Sequence, residues 1–447
     1  MAPYKLGDKV TVCNYTFTWT EKHLSKEQLE PLRYQHDTLA DLAMERIQSF
    51  RREDIAANAI PTKDNYEILR EHHQNDPTLA EFWTQTHTVP DWMDWDQLAK
   101  GFVYRYALAN FASPGVAEIF VRTGSFSTRV LLPRLLETLQ WLLQITHDII
   151  SIQPGGEGHI ATLRVRLLHA TLRKRILQLA SRKPGYYDVV THGVPVNVLD
   201  SLHSMTGFSC SPMWLQLLAF GIEPSAEERD GYIALFRYIA YLLGVPTSPF
   251  FETPESAKCV MESILTQDVT ITATSRVIAF NFLQVATNLP KPFYVSLGFA
   301  ALGSRAIYGD TLSDELELPR PGLVHTLAFH GFCVLVWVLA WLQRCVPGVD
   351  TAIIRFWRDI LYEKGVVNRE KSRFEFKYIP EVGRKTEKEV HASTMGGTKG
   401  RGLFGTDVGH AELVFLGVLV GAVVMALVLL VAAWMYVVGP SVAWVGR

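Results

Sequence analysis

A run of 26 residues without a charge, Leu413–Val438, sets the tightest limit on what this chain can fold into. A bilayer offers no water to satisfy backbone N–H and C=O groups, so such a run crosses it as a helix. At 1.5 Å per residue its length exceeds a hydrocarbon core of about 30 Å and leaves room for tilt. Trp434 and Tyr436 near its far end suit an aromatic belt, and Gly417 with Gly421 fits either a helix contact face or ordinary small residues in a span. Thirteen Lys and Arg lie between Arg344 and Arg401, and only nine residues follow the run. That bias predicts a cytosolic main domain on a single C-terminal anchor. A second apolar stretch, Leu323–Leu342, holds His325 and His330, which favours a buried or membrane-dipping helix; were it to span, the orientation would reverse.

The remaining chain is long enough for one large helical domain or two average ones. A formal charge of -2 gives no basis for nucleic-acid binding, and the five cysteines, with no C-x-x-C pair, argue against a disulfide framework or a zinc site. Residues 1–30 are polar and lack the pattern of a signal peptide. Helical periodicity begins near Glu27, with Leu39, Leu42, Ile47 and Phe50 as a partial apolar stripe. His36, His72, His73 and His87 show no ligand spacing and read as surface or supporting residues. In DWMDWD an aspartate caps the helix that continues through LAKGFVYRYALANF, whose Phe102, Tyr104, Tyr106 and Phe111 are core or pocket-wall residues. Ser225 with Glu228 forms a capping-box pattern ahead of a stripe from Tyr232 to Leu242, on which Arg237 faces solvent or an ion pair. Strand signals such as VTITAT (269–274) stand alone, so the predicted fold class is mostly α-helical.

Chemistry concentrates between Arg134 and Ile176. Two helices are predicted there, separated by Pro154, Gly155, Gly156 and Gly158. Arg134, Glu137, Thr138 and Trp141 recur at i, i+3, i+4 and i+7 on the first, and Thr162, Arg166, His169 and Arg173 at i, i+4, i+7 and i+11 on the second. An antiparallel pairing brings His169 opposite the Arg134/Thr138 face. By periodicity alone two readings stand: a hydrogen-bonded core histidine with snorkelling arginines, or a site for a flat iron cofactor with two carboxylate tails. In the second reading His169 is the axial ligand and Arg166 and Arg173 pair with the carboxylates. A Ser-His-Asp hydrolase built from Asp200, His203 and Ser209 finds no G-x-S-x-G elbow to support it.

Five pieces in order, VPDWMDWDQLAKG (Val89–Gly101), RTG (Arg122–Gly124), RLLET (Arg134–Thr138), VRLLHATLR (Val165–Arg173), and GVPVN with FRYIAYLLGVP (Gly193–Asn197, Phe236–Pro246), resemble the family of latex clearing proteins (rubber oxygenases) and the ER-bound mpaB oxygenase. The resemblance implies a haem b iron ligated by His169, with Arg134 and Thr138 beside it. Rubber-cleaving members carry a lysine where this chain has Glu137, so a carboxylate stands where the family has an amine able to reach iron. The mpaB enzyme has its anchor toward the N-terminus, unlike this chain.

The resulting expectation is a multi-helix haem-binding domain with a C-terminal transmembrane helix: an N-terminal helical extension over 1–88, a catalytic domain over 89–346, a basic region and linker over 347–406, and the anchor. Arg134, Glu137 and Thr138 are the catalytic candidates, His169 the metal ligand, Arg166 and Arg173 the cofactor-binding residues. The resemblance implies a lipophilic, prenyl-type substrate, dioxygen, C=C cleavage in secondary metabolism, and an endoplasmic-reticulum membrane. A non-haem iron site on the same fold, or a non-catalytic membrane scaffold, are the alternatives.

Overall fold

The computed structural model describes residues 4–56, 63–98, 137, 138, 140–183, 186–268, 271, 276, 279, 280, 283, 295–357 and 408–445. Arg134, the RTG piece, the aromatics from Phe102 to Phe111 and all of VTITAT but Ile271 lie outside them.

The chain opens on a hairpin of β1 (Lys9–Val12) and β2 (Tyr15–Thr18), paired antiparallel with Val12 opposite Tyr15. Alternating Val10, Val12, Tyr15 and Phe17 are the signal for it, and the expectation of a merely polar N-terminus missed that period of two. Everything larger among the described residues is helical. In α1 (Thr38–Ala56) the buried stripe is Ala40, Ala43, Met44 and Ile47, whereas Leu42 is 52% exposed. Small side chains win that face because α1 packs closely on the central helix. α2 (Pro77–His87) starts on Asp76, whose carboxylate accepts the Thr78 and Leu79 N–H groups, with proline in the first turn where no donor is needed.

The first of the two central helices, α3, is described at 137, 138 and 140–145. It ends earlier than the glycine run suggests: a short helix, Ile149–Ile152, capped by Asp148, intervenes before α4 (Glu157–Arg182). α5 (Val198–Ser211) runs into a π-helical turn at Pro212–Gln216. The Ser225–Glu228 capping box starts α6 (Ala226–Leu242) as expected, and α7 (Pro254–Gln267) follows. One hydrophobic core joins side chains of α1 and α2, before residue 88, to those of α4, α5, α6 and α7 after it. α8 (Leu297–Glu315), α9 (Leu323–Cys345) and α10 (His410–Val445) complete the described helices used below. Of these, α9 and α10 are long and apolar enough to cross a membrane by length and composition.

Candidate active site

α3 and α4 lie antiparallel. Trp141 Nε1 donates to Thr162 Oγ1 at 3.1 Å, and Gln144 Nε2 to Glu157 Oε1 at 2.8 Å, so position sums near 302 define the register. Trp141 and Thr162 come one from each polar stripe, and the same register carried on by a turn sets half-buried Glu137 and Thr138 beside Val165 and Arg166.

His169 occupies the next inward turn of α4. Its side chain is only partly exposed, and among the described residues it makes no hydrogen bond. Burial, followed by the nearby Arg173 charge, pushes its pKa down to about 4, with Asp37 opposing. The imidazole is therefore neutral at physiological pH, with a ring nitrogen lone pair that no described side chain uses. A core histidine of the ordinary kind is hydrogen-bonded, as His159 is to the Thr86 carbonyl at 2.8 Å.

Arg166 and Arg173 flank His169 on the same stripe, but their guanidinium groups are committed elsewhere. Arg166, 2% exposed, donates Nε to Asp37 Oδ2 at 2.6 Å and Nη2 to Asp37 Oδ1 at 3.0 Å, in the bidentate fork that suits a guanidinium. It also reaches Gln85 Oε1 at 2.9 Å and the Leu242 carbonyl at 3.4 Å, while Phe82 lies under its face at 4.6 Å. Arg173 is paired with Asp41 and donates to the Val196 carbonyl at 3.2 Å. Burial raises the Asp41 pKa above the ordinary carboxylate value against the pull of Arg173. As placed here, both arginines tie α4 to the start of α1, and neither fits the expected pairing with cofactor carboxylates.

Gly244, just after α6, makes the first of these pairs possible. Its φ of +74° is open to glycine, and an added Cβ would stand 2.3 Å from Asp37 Oδ2 and 2.8 Å from Arg166 Nε. Asp37 and Asp41 were not singled out by the sequence. They are 129 and 132 residues from their arginines, and no local spacing announces a partner that distant.

Of the other histidines, His36 lies beside Asp41 at 3.4 Å, and His72, His73 and His87 support packing. His73 and His87 stack on the two faces of Trp83, with centroids at 3.9 and 3.6 Å, and His72 stacks on Phe50 at 4.0 Å. Arg237 lies over Trp92 at 4.0 Å and donates to the Glu252 carbonyl at 3.3 Å, so among the described residues it is a cation–π residue without an ion pair. Asp200, His203 and Ser209 all sit on α5, and Ser209 Oγ donates to the Met205 carbonyl at 2.7 Å, which removes it as a nucleophile. His23, Cys259 and Glu262 form a buried cluster with ligand-type atoms within 4.8 Å of one another. Both nitrogens of His23 are already engaged, Nδ1 by the Thr20 N–H at 2.9 Å and Nε2 by Glu262 at 2.8 Å, and Tyr15 donates to Glu262 at 2.6 Å. The cluster therefore closes on itself as a clamp between the hairpin and α7.

Comparison with known proteins now has a site to act on. A family profile described as "ER-bound oxygenase mpaB/B'/Rubber oxygenase, catalytic domain" matches residues 91–341, more than half of the chain and inclusive of α3 to α8 and most of α9. α1, with Asp37 and Asp41, and α10 lie outside that match. Comparison with curated proteins gives no match. Among solved structures, latex clearing protein LCP in the closed state superposes with a TM-score of 0.52 at 18% identity, over 74% of this chain and 91% of that one, so the two share a fold. With the family comes its general chemistry, that of an oxygenase, an oxidoreductase acting on C=C bonds. The chain belongs to the family of the ER-bound mpaB oxygenases and the rubber oxygenases, whose catalytic domain it carries.

Proposed function

We propose that this chain is a membrane-anchored, haem b-dependent oxygenase in which His169 holds the iron. One observation carries the reading: a neutral, partly buried imidazole without a hydrogen bond among the described residues sits on the family-matched helix at the position the resemblance assigns to the iron ligand. The residues present fit that group at the ligand and differ from expectation at its tails.

Haem, when bound, supplies the dioxygen chemistry that oxidises a C=C bond. The chain's part is to place and shield it. Asp37 and Asp41, through Arg166 and Arg173, fix the α4 turns on either side of His169 and so its distance and orientation. The positive Arg173 nearby also keeps the ring unprotonated. Glu137 and Thr138 occupy the facing helix, half-buried, where Glu137 acts as a proton acceptor toward substrate in place of the lysine of the rubber-cleaving enzymes. Arg134 belongs to the same face by spacing.

The substrate class follows from the anchor. α10 would hold the domain on the cytosolic face of the endoplasmic-reticulum membrane, with the basic stretch before it on the same side. A prenyl-type molecule of secondary metabolism partitions into that bilayer and reaches the domain from it.

The test is an absorption spectrum of the detergent-purified full chain beside His169→Ala, with iron quantified in both. A Soret band near-stoichiometric with protein and lost in the variant is expected. Iron without a Soret band would move the site to non-haem chemistry, and neither band nor iron in folded protein would leave a binding scaffold.

A further inference from the structure

α9 and α10 run side by side in the same direction. His325 Nδ1 meets Glu412 Oε2 at 2.9 Å at their starts, and Phe332 and Phe415 have ring centroids 5.2 Å apart one to two turns on. Between them Gly331 lets the backbones touch: a Cβ there would stand 1.9 Å from the Phe415 carbonyl oxygen. From Val423 to Ala433 every residue of α10 is exposed, and the helix continues without a charge to Val445. The exposed run belongs to a helix whose uncharged residues, Leu413–Val445, are enough to cross a hydrocarbon core.

α9 does not leave the domain. At one end the fully buried Glu412 carboxylate accepts the Ser296 N–H at 2.5 Å beside His325, and at the other Arg344 Nη2 pairs with buried Glu228 at 3.0 Å. Phe220 packs against Phe332 between those ends, at 5.5 Å. The helix nonetheless shows a bare apolar face, with Trp337 52% and Trp341 51% exposed one turn apart and Val338 beside them. Applying the 87-residue offset of the His325–Glu412 contact puts Trp337 level with residue 424, where the exposed run of α10 begins.

We infer that Trp337 and Trp341 lie in the headgroup region of the bilayer that α10 crosses, so that α9 docks the catalytic domain flat on the membrane and does not leave it on a loose tether. Indole rings concentrate at that depth because one edge is apolar and the N–H seeks a partner. Two of them side by side, adjoining an apolar helix of membrane length, meet lipid for the same reason that helix does. Docking holds the domain at one height and orientation, and keeps the route from bilayer to active site short for a lipophilic substrate.

The inference rests on α10 being a membrane anchor, and the experiment separates the two. Full-length protein in phosphatidylcholine nanodiscs, with bromine on the acyl chains near the headgroup or near the chain ends, is compared with Trp337→Phe/Trp341→Phe by tryptophan fluorescence. Trp434 and Trp444 in α10 report on the anchor itself. Docking predicts that headgroup-level bromine quenches the wild type and that the quenchable emission falls in the double variant, since the two exposed indoles of α9 are removed. Equal quenching of the two proteins, with α10 still quenched, overturns the docking and keeps the anchor. No quenching in either, or protein that does not enter nanodiscs, overturns both. The substitutions are at exposed positions, and unchanged thermal midpoints confirm that folding is intact.

Discussion

Asp37→Asn tests whether the ion pair behind His169 supports the helix that carries it. Asparagine keeps the size of the side chain and one acceptor, but leaves the Arg166 guanidinium, 2% exposed, without its counter-charge. Breaking a buried pair by removing one partner costs about 3–5 kcal/mol. Gln85 Oε1 at 2.9 Å and the Leu242 carbonyl at 3.4 Å still accept from Arg166, which sets the loss at the low end, about 3 kcal/mol. With an unfolding entropy of about 2.1 cal/mol/K per residue over a cooperative unit of about 300 residues, the midpoint falls by roughly 5 °C. Thermal unfolding of the detergent-solubilised full chain, followed by far-UV circular dichroism at fixed scan rate, reads this directly. Arg166→Gln added to Asp37→Asn removes the stranded charge and restores part of the loss. A single-variant drop below about 1 °C, or a double variant no more stable than Asp37→Asn, would refute the argument that this charge needs its partner.

Acid should destabilise the protein through its buried histidines. His169 and His87 are both held at about 4 chiefly by burial, against an unfolded value of about 6.5, so the unfolded state binds more protons between those limits. Stability contributed this way is fully present above about pH 6.5 and is lost as pH falls toward 4, by up to ~1.4 kcal/mol per pH unit for each histidine. A flat midpoint between pH 5 and 6.5 would contradict it. His169→Ala should abolish the Soret band of the holoprotein, and should shallow the acid slope of protein stripped of haem, in which the imidazole is free. Gly331→Val must push α9 and α10 apart, at a cost of about 1–3 kcal/mol, seen as a lower midpoint and faster proteolysis at the start of α10. An unchanged midpoint would mean that the two backbones do not touch.

The fold class was legible because helices announce themselves locally. The Ser225–Glu228 box, the aspartate cap in DWMDWD, where Asp94 accepts from the Asp96 and Gln97 N–H groups at the start of a helix described over 95–98, and the glycine break after residue 153 are each contained within one or two turns. The hairpin at Lys9–Thr18 was equally local and was missed, since only four residues per strand carry its period of two. Leu42 misled for a different reason: its hydrophobicity is local, but which face of α1 is buried depends on Ala40 and Ala43 admitting α4.

The two polar stripes with Trp141 and Thr162 could be written down from spacing because a helix has a fixed period, and their antiparallel meeting followed from the short connection between them. Sequence by itself thus determined the helices, the apolar run and the position of His169 on an inward face. What Arg166 and Arg173 do was decided only by tertiary structure, because a guanidinium pairs with whichever carboxylate the fold delivers, and Asp37 and Asp41 arrive from more than a hundred residues away. The same holds for α9. Its composition alone suits a membrane span, and it is contacts in space, to Glu412 at one end, Phe220 midway and Glu228 at the other, that bind it to the domain. Periodicity is a property of neighbours along the chain, whereas charge pairing and the choice between protein and lipid are properties of neighbours in space.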